Sequence, residues 1–227
     1  MLSAIEEDRI EAAVVEAEEG TSGDILCVLA GEVSKYREVP IAYAAAVSLA
    51  LPPILLALSV RPLAAFVDDL WALAQAGALE RELSLALGIY AAAQIALFLI
   101  TFAIVSIPAV RRRLTPRTLK SHRVAKAAHH QFVSISARAV GSETGVLIFV
   151  ALDDRQVQIL ADAGIHDKVG DPVWNKAVAA IGTAMSAGHD PTSGIIEAVK
   201  ICGAALKEHY PEREPHAHAF KARPIEV

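Results

Sequence analysis

Disulfide chemistry has almost no material to work with in this chain. Cys27 and Cys202 are the only cysteines among 227 residues, which excludes a cross-linked secreted scaffold and agrees with a reducing compartment. On a strand and a helix they read as two small buried hydrophobes. Basic residues are in the minority: 21 lysines and arginines against 26 acids leave a formal net charge of -5, and no nucleic-acid partner follows from that balance. The familiar catalytic signatures are missing too, with no Gly-x-Ser-x-Gly, phosphate-cradling loop, Cys-x-x-Cys or kinase motif in the sequence. An acidic helix, Ile5–Glu19, stands where a secretory leader would place basic and then apolar residues, so no cleavable signal is expected.

Charge is absent from two long stretches in the middle of the chain. Val39–Val60 holds 22 residues without a charge and Leu83–Val110 holds 28, and a membrane-crossing helix needs about 20 apolar residues. Between them, residues 61–82 carry Arg61, Asp68, Asp69, Glu80, Arg81 and Glu82, so the expectation is two spans and a turnaround. In that loop Leu63, Phe66, Val67, Leu70 and Trp71 recur at helical spacing opposite Asp68 and Asp69, the pattern of an interfacial helix or an ordinary amphipathic turn. The polar residues within the spans, Gln94 among them, are not ionised, which gives an ion pathway little to use. Gln94 is expected to hydrogen-bond between helices, within the hairpin or between protomers. Arg111, Arg112, Arg113, Arg117, Lys120 and Arg123 follow the second run and Lys35 and Arg37 precede the first, while the loop offers only Arg61 and Arg81. The positive-inside bias puts both termini in the cytoplasm, with Arg111–Arg113 placed to meet anionic headgroups.

The flanking parts read as one α/β domain. Ser3 and Glu6 form a capping-box pattern, and Ile10, Ala13, Val14 and Ala17 then make one apolar helical face. Asp24–Ala30 is a short apolar strand with nothing to pair with nearby. A helix from about Thr118 to Ala139 follows the membrane run, then a central-strand signal at Gly145–Leu152, a turn at Asp153-Asp154-Arg155 and an alternating strand at Gln156–Ala161. Pro172–Ser186 and Thr192–His209 read as helices, and the stretch from Pro211 as irregular unless Ile225 ties it down. The sheet is expected to draw one strand from before the hairpin and two from after it. The resulting division is 1–38 and 111–210 for the two parts of the domain, 39–110 for the hairpin and 211–227 for a tail.

These residues resemble a known family. Thr21-Ser-Gly-Asp-Ile-Leu-Cys-Val, then Glu143 through Ile159, then Asp162-Ala-Gly-Ile-His-Asp-Lys-Val, with Trp174, Cys202-Gly203, His209-Tyr210-Pro211 and the Arg-Pro-Ile-Glu segment, are similar to the TPM domain. This is the fold of a thylakoid-lumen acid phosphatase and its bacterial relatives, and the chain looks most like the membrane branch in which a hydrophobic hairpin follows the first strand. The resemblance implies phosphatase activity or calcium binding in some members and no known activity in many. The family's glutamate and Gly-Tyr-Gly after the second strand stand here as Leu160, Ala161 and Asp162-Ala163-Gly164.

Hard oxygen ligands for calcium or magnesium would come from Asp153, Asp154 and Asp162, with Glu143 and Asp171 as further candidates. Adjacent carboxylates at 153 and 154 suit a divalent ion, and equally a solvated turn. His122 and His129, two helical turns apart, are too distant to share one metal without a third element, and His216 and His218 lie in the tail. The expected function is a membrane-anchored binding or accessory module with an unknown protein partner and no cofactor. The alternatives are a divalent-metal-dependent phosphatase and a small oligomeric transporter or channel subunit.

Overall fold

The computed structural model describes residues 3–58, 79–136, 145–186, 190–212 and 222–226. In chain order the elements are α1 Ala4–Glu18, β1 Asp24–Ala30, α2 Glu38–Ala57, α3 Leu79–Ser106, α4 Pro108–Leu114, α5 Arg117–Ser136, β2 Gly145–Ala151, β3 Gln156–Ala161, α6 Ala163–Val169, α7 Asp171–Ser186, α8 Pro191–His209 and β4 Ile225–Glu226. They fall into two compact units, residues 1–35 with 117–227, and residues 36–116.

The first unit begins with the capping box. The Ser3 amide donates to Glu6 Oε2 at 2.6 Å and the Glu6 amide to Ser3 Oγ at 3.4 Å, and bonds from Ser3 hold the Glu6 carboxyl below its usual range. α1 then buries Ile10, Ala13, Val14 and Ala17, the face its spacing predicts. The sheet order is β3-β2-β1-β4. β1 and β2 run parallel in register from Asp24 opposite Gly145 to Ala30 opposite Ala151, and every residue of both is buried. That is why each reads as a continuous apolar run: both faces of a central parallel pair are covered. β3 returns antiparallel to β2 and has only Val157 buried, its other residues being half-buried.

Alternate side chains of the central pair feed two cores. Leu26, Val28, Leu147 and Phe149 pack on one side with Val124 and Ala128 of α5. Ile25, Cys27, Leu29, Val146, Ile148 and Val150 pack on the other with α1, α7 and α8. The tail is anchored: β4 pairs parallel with β1 at Val28 and Leu29, and the Arg223 guanidinium meets Glu7 at 2.9 Å. Pro211 also bridges to Thr21, whose hydroxyl donates to the Tyr210 carbonyl at 2.7 Å.

In the second unit Tyr43 Oη, near the start of α2, donates to the Leu114 carbonyl at 3.2 Å, and the Gln94 side-chain amide donates to the Ser48 carbonyl at 3.3 Å. The two long helices therefore run antiparallel. The second bond repairs a specific break. Pro52 lies inside α2 and has no N–H to give the carbonyl four residues back, which is that of Ser48; the Gln94 amide supplies the donor instead. Gln94 thus bonds within the hairpin, one of the two roles expected of it. The second apolar run does not continue as one helix to Val110, because Pro108 starts a new helix at its first position. Arg111, Arg112 and Arg113 accordingly sit on α4.

Both long helices are long and apolar enough to cross a membrane. In their most apolar windows, Glu38–Leu55 and Leu87–Ser106, only 22% and 6% of the residues are buried, whereas a helix serving as a soluble core would be mostly covered. Ile41, Leu49, Ile54, Leu87, Ile95 and Leu99 are each more than half exposed. The expected helix in residues 61–82 lies mostly outside the described residues, as does the tail carrying His216 and His218.

Candidate functional site

The carboxylates proposed as metal ligands sit at different corners of the first unit. Asp153 and Asp154 occupy the four-residue connection Leu152–Arg155 between β2 and β3. The Leu152 and Asp153 amides continue the parallel pairing by donating to the carbonyls of Ala30 and Gly31 at 2.9 and 3.2 Å, and the Arg155 amide closes the turn onto the Leu152 carbonyl at 3.3 Å. Arg155 takes a left-handed φ of 51° to do so. Asp153 is exposed and Asp154 is buried.

Asp162 lies past the far end of β3, and its Oδ2 accepts from the Gly145 amide at 2.7 Å, fastening the open end of the hairpin. Six strand residues at roughly 3.4 Å each put it about 20 Å from the Asp153-Asp154 turn, so the three aspartates do not meet around one ion. Asp171 opens α7, exposed, with the His166 imidazole 3.5 Å away. Glu143 lies outside the described residues. Among the described residues no three His, Cys, Asp or Glu side chains gather as a metal would require. The donor set does not fit a calcium or magnesium centre built from Asp153, Asp154 and Asp162 together. His122, His129 and His130 are all exposed on α5.

A concave feature that sequence reasoning missed runs along the α7–α8 pair. A hollow of about 560 Å³ is bordered by Lys176, Thr183, Ser193 and Glu197 over a floor including Gly194 and Ile201. A second hollow of about 540 Å³ shares Lys176, Glu197 and Ile201 and adds Lys200 and Glu208. The helices approach closely because Gly194 has no Cβ, which would lie 2.9 Å from Ile181 Cα. The only hint in the sequence is the small residues Ala179, Ala180 and Ala184 at positions where a surface helix normally carries longer side chains.

Cys27 and Cys202 supply no nucleophile. Burial pushes the Cys202 thiol up to about 12, and burial first, then the nearby Cys202 and Glu18, raise that of Cys27. Both are protonated at neutral pH and closed to solvent, the condition of inert structural cysteines. Glu18 is buried too, and its Oε1 accepts from the Ile25 amide at 2.7 Å.

A buried parallel strand pair covered by helices on both faces, with two long apolar helices inserted between the paired strands, defines an α/β domain split by a hairpin. Residues 112–205 match the TPM domain family, and the chain carries a TPM domain. The match begins where the hairpin ends; α1 and β1, which complete the fold, lie before it. The chain is also similar in fold to the BA42 protein of the psychrophilic bacterium Bizionia argentinensis, known from an NMR structure, with a TM-score of 0.55 and 17% identity over 100% of this chain and 96% of that one. No curated protein matches it.

Proposed function

We propose that this chain is an integral membrane protein of the bacterial inner membrane. Its hairpin presents the TPM domain at the cytoplasmic surface, both termini lie in the cytoplasm, and the domain acts as a binding or accessory module toward a protein partner. One observation carries the reading: across Val39–Leu55 of α2 and Leu87–Ser106 of α3 the exposed surface is almost wholly apolar, and lipid is the solvent in which such a surface is stable. The α7–α8 groove is the concave surface such a module would offer a partner. Single cysteines at Gln75 and Ser193 test the topology. The label at 75 should react in intact cells and the label at 193 only after permeabilisation; reaction of both from outside contradicts the hairpin.

The dispersal of the carboxylates favours the binding module over a metal-dependent phosphatase. An ion binding only the folded state would stabilise it by about 2.7 kcal/mol at one hundred times its dissociation constant. Full-length protein in detergent is expected to keep its melting temperature, within a degree or so, in millimolar calcium or magnesium, and to release no phosphate that Asp153→Asn or Asp154→Asn abolishes. A metal-dependent rise removed by either substitution would put the phosphatase first.

A further inference from the structure

We propose that the outer face of α5 is a second membrane-binding element, an anionic-lipid surface that holds the TPM domain against the leaflet. The proposal rests on the spanning hairpin and adds a lipid partner for the soluble domain itself. Charge is distributed very unevenly along the chain. No Asp or Glu occurs between Glu82 and Glu143, while Arg111, Arg112, Arg113, Arg117, Lys120, Arg123 and Lys126 all fall within 16 residues of that acid-free stretch. This contrasts with a chain that is acidic overall.

The fold turns the second half of this cluster into a face. His122, Arg123, Lys126, His129, His130 and Val133 are exposed and lie on one side of the helix, since positions one, four, seven, eight and eleven apart share a stripe. The opposite side is fixed, because Val124 and Ala128 are fully buried against Leu147 and Phe149. The helix cannot roll to hide its basic stripe without unpacking that core. β2 and β3, on which α5 lies, contribute no ionised side chain, although Lys120 and Arg123 each keep an interaction within the fold.

Lipid fits this stripe better than another polyanion. Only residues 107–116 separate the end of α3 from the start of α5, so the chain tethers the first turn of α5 to the hairpin, and Arg111, Arg112 and Arg113 lie within that tether. Val133, 52% exposed on the same stripe, adds an apolar contact of the kind interfacial helices use. Basic residues near an anionic leaflet each gain attraction, which fades beyond a Debye length.

The test uses full-length protein in nanodiscs of phosphatidylcholine, with or without about 30 mol% phosphatidylglycerol. A donor dye is placed at His130→Cys, Cys27 and Cys202 being buried, and an acceptor sits on the lipid headgroups. Energy transfer should be at least about twofold greater in the anionic discs and fall to the neutral-disc level in about 0.5 M salt. The same fall should follow Arg117→Gln, Arg123→Gln and Lys126→Gln together, with reconstitution unchanged. Equal transfer in both discs, or transfer indifferent to the triple substitution, overturns the proposal while leaving the anchor intact. Saturable capture of poly-glutamate in neutral discs without any lipid effect would assign the face to an acidic protein and overturn it as well. Failure to enter either disc would contradict the hairpin, and with it this surface.

Discussion

A fragment of residues 117–227 is expected not to fold, whereas residues 1–36 joined to 115–227 by a Gly/Ser linker should be soluble and melt cooperatively. β1 lies inside the sheet, between β2 and β4, and Ile25, Leu26, Val28 and Leu29 are at most 3% exposed. At about 1.5–3 kcal/mol per buried aliphatic side chain, these four alone contribute on the order of 10 kcal/mol, as much as the whole stability of a typical domain. Without β1 the fragment would also present the unpaired edge of β2, an invitation to association. Circular dichroism melts and sedimentation of the two proteins measure this directly. Equal cooperativity would mean that β1 is dispensable and the split-domain account wrong.

The second large effect is expected at Gly203, where replacement by alanine should lower stability by about 1–3 kcal/mol through overpacking. In an ordinary helix interior the same change raises stability by about 1 kcal/mol, so the sign itself is informative. Here a Cβ would sit 2.7 Å from Ala17 Cβ and 2.9 Å from the Ala17 carbonyl oxygen, in the contact that seats α8 on α1. Backbone cannot swing aside as the end of a long side chain can. Gly182→Ala is the control, since its Cβ would meet nothing within 4 Å, and it should leave stability unchanged or raise it. For a chain of this size 1 kcal/mol moves Tm by about 2–4 °C. Thermal melts of the full chain in detergent therefore separate the two variants, and a fall in both, or in neither, contradicts the close α1–α8 packing.

Features with a local physical cause were legible in the sequence. The capping box of α1 needs only Ser3 and Glu6, and the continuous apolar runs of β1 and β2 follow from burial on both faces. The hairpin announces itself through charge-free length. Features created by distant contacts were not legible. Asp153, Asp154 and Asp162 look clustered when counted along the chain, but an antiparallel strand pair holds its turn and its open end a strand length apart. Gln94 reads only as a polar residue in a span until α2 and α3 are set side by side and the carbonyl orphaned by Pro52 appears opposite it. The short helix α6, seven residues containing Gly164, is too brief to show a period. The α7–α8 groove depends on how closely Gly194 lets two helices approach, which no single-helix pattern reports.

The central claim is that segments from either side of a membrane hairpin build one domain on one side of the bilayer. Arg9 and Asp190 come from the two segments and form an ion pair at 3.5 Å. Cysteines at these two positions, a protease site inserted at Gln75 and a short membrane-permeant bis-maleimide bring topology and assembly into one gel. After external protease treatment of spheroplasts and then crosslinking, the cut chain is predicted to run under denaturing conditions as a single species of full-length mass. An uncut loop, or two fragments that separate despite the crosslinker, would contradict the account.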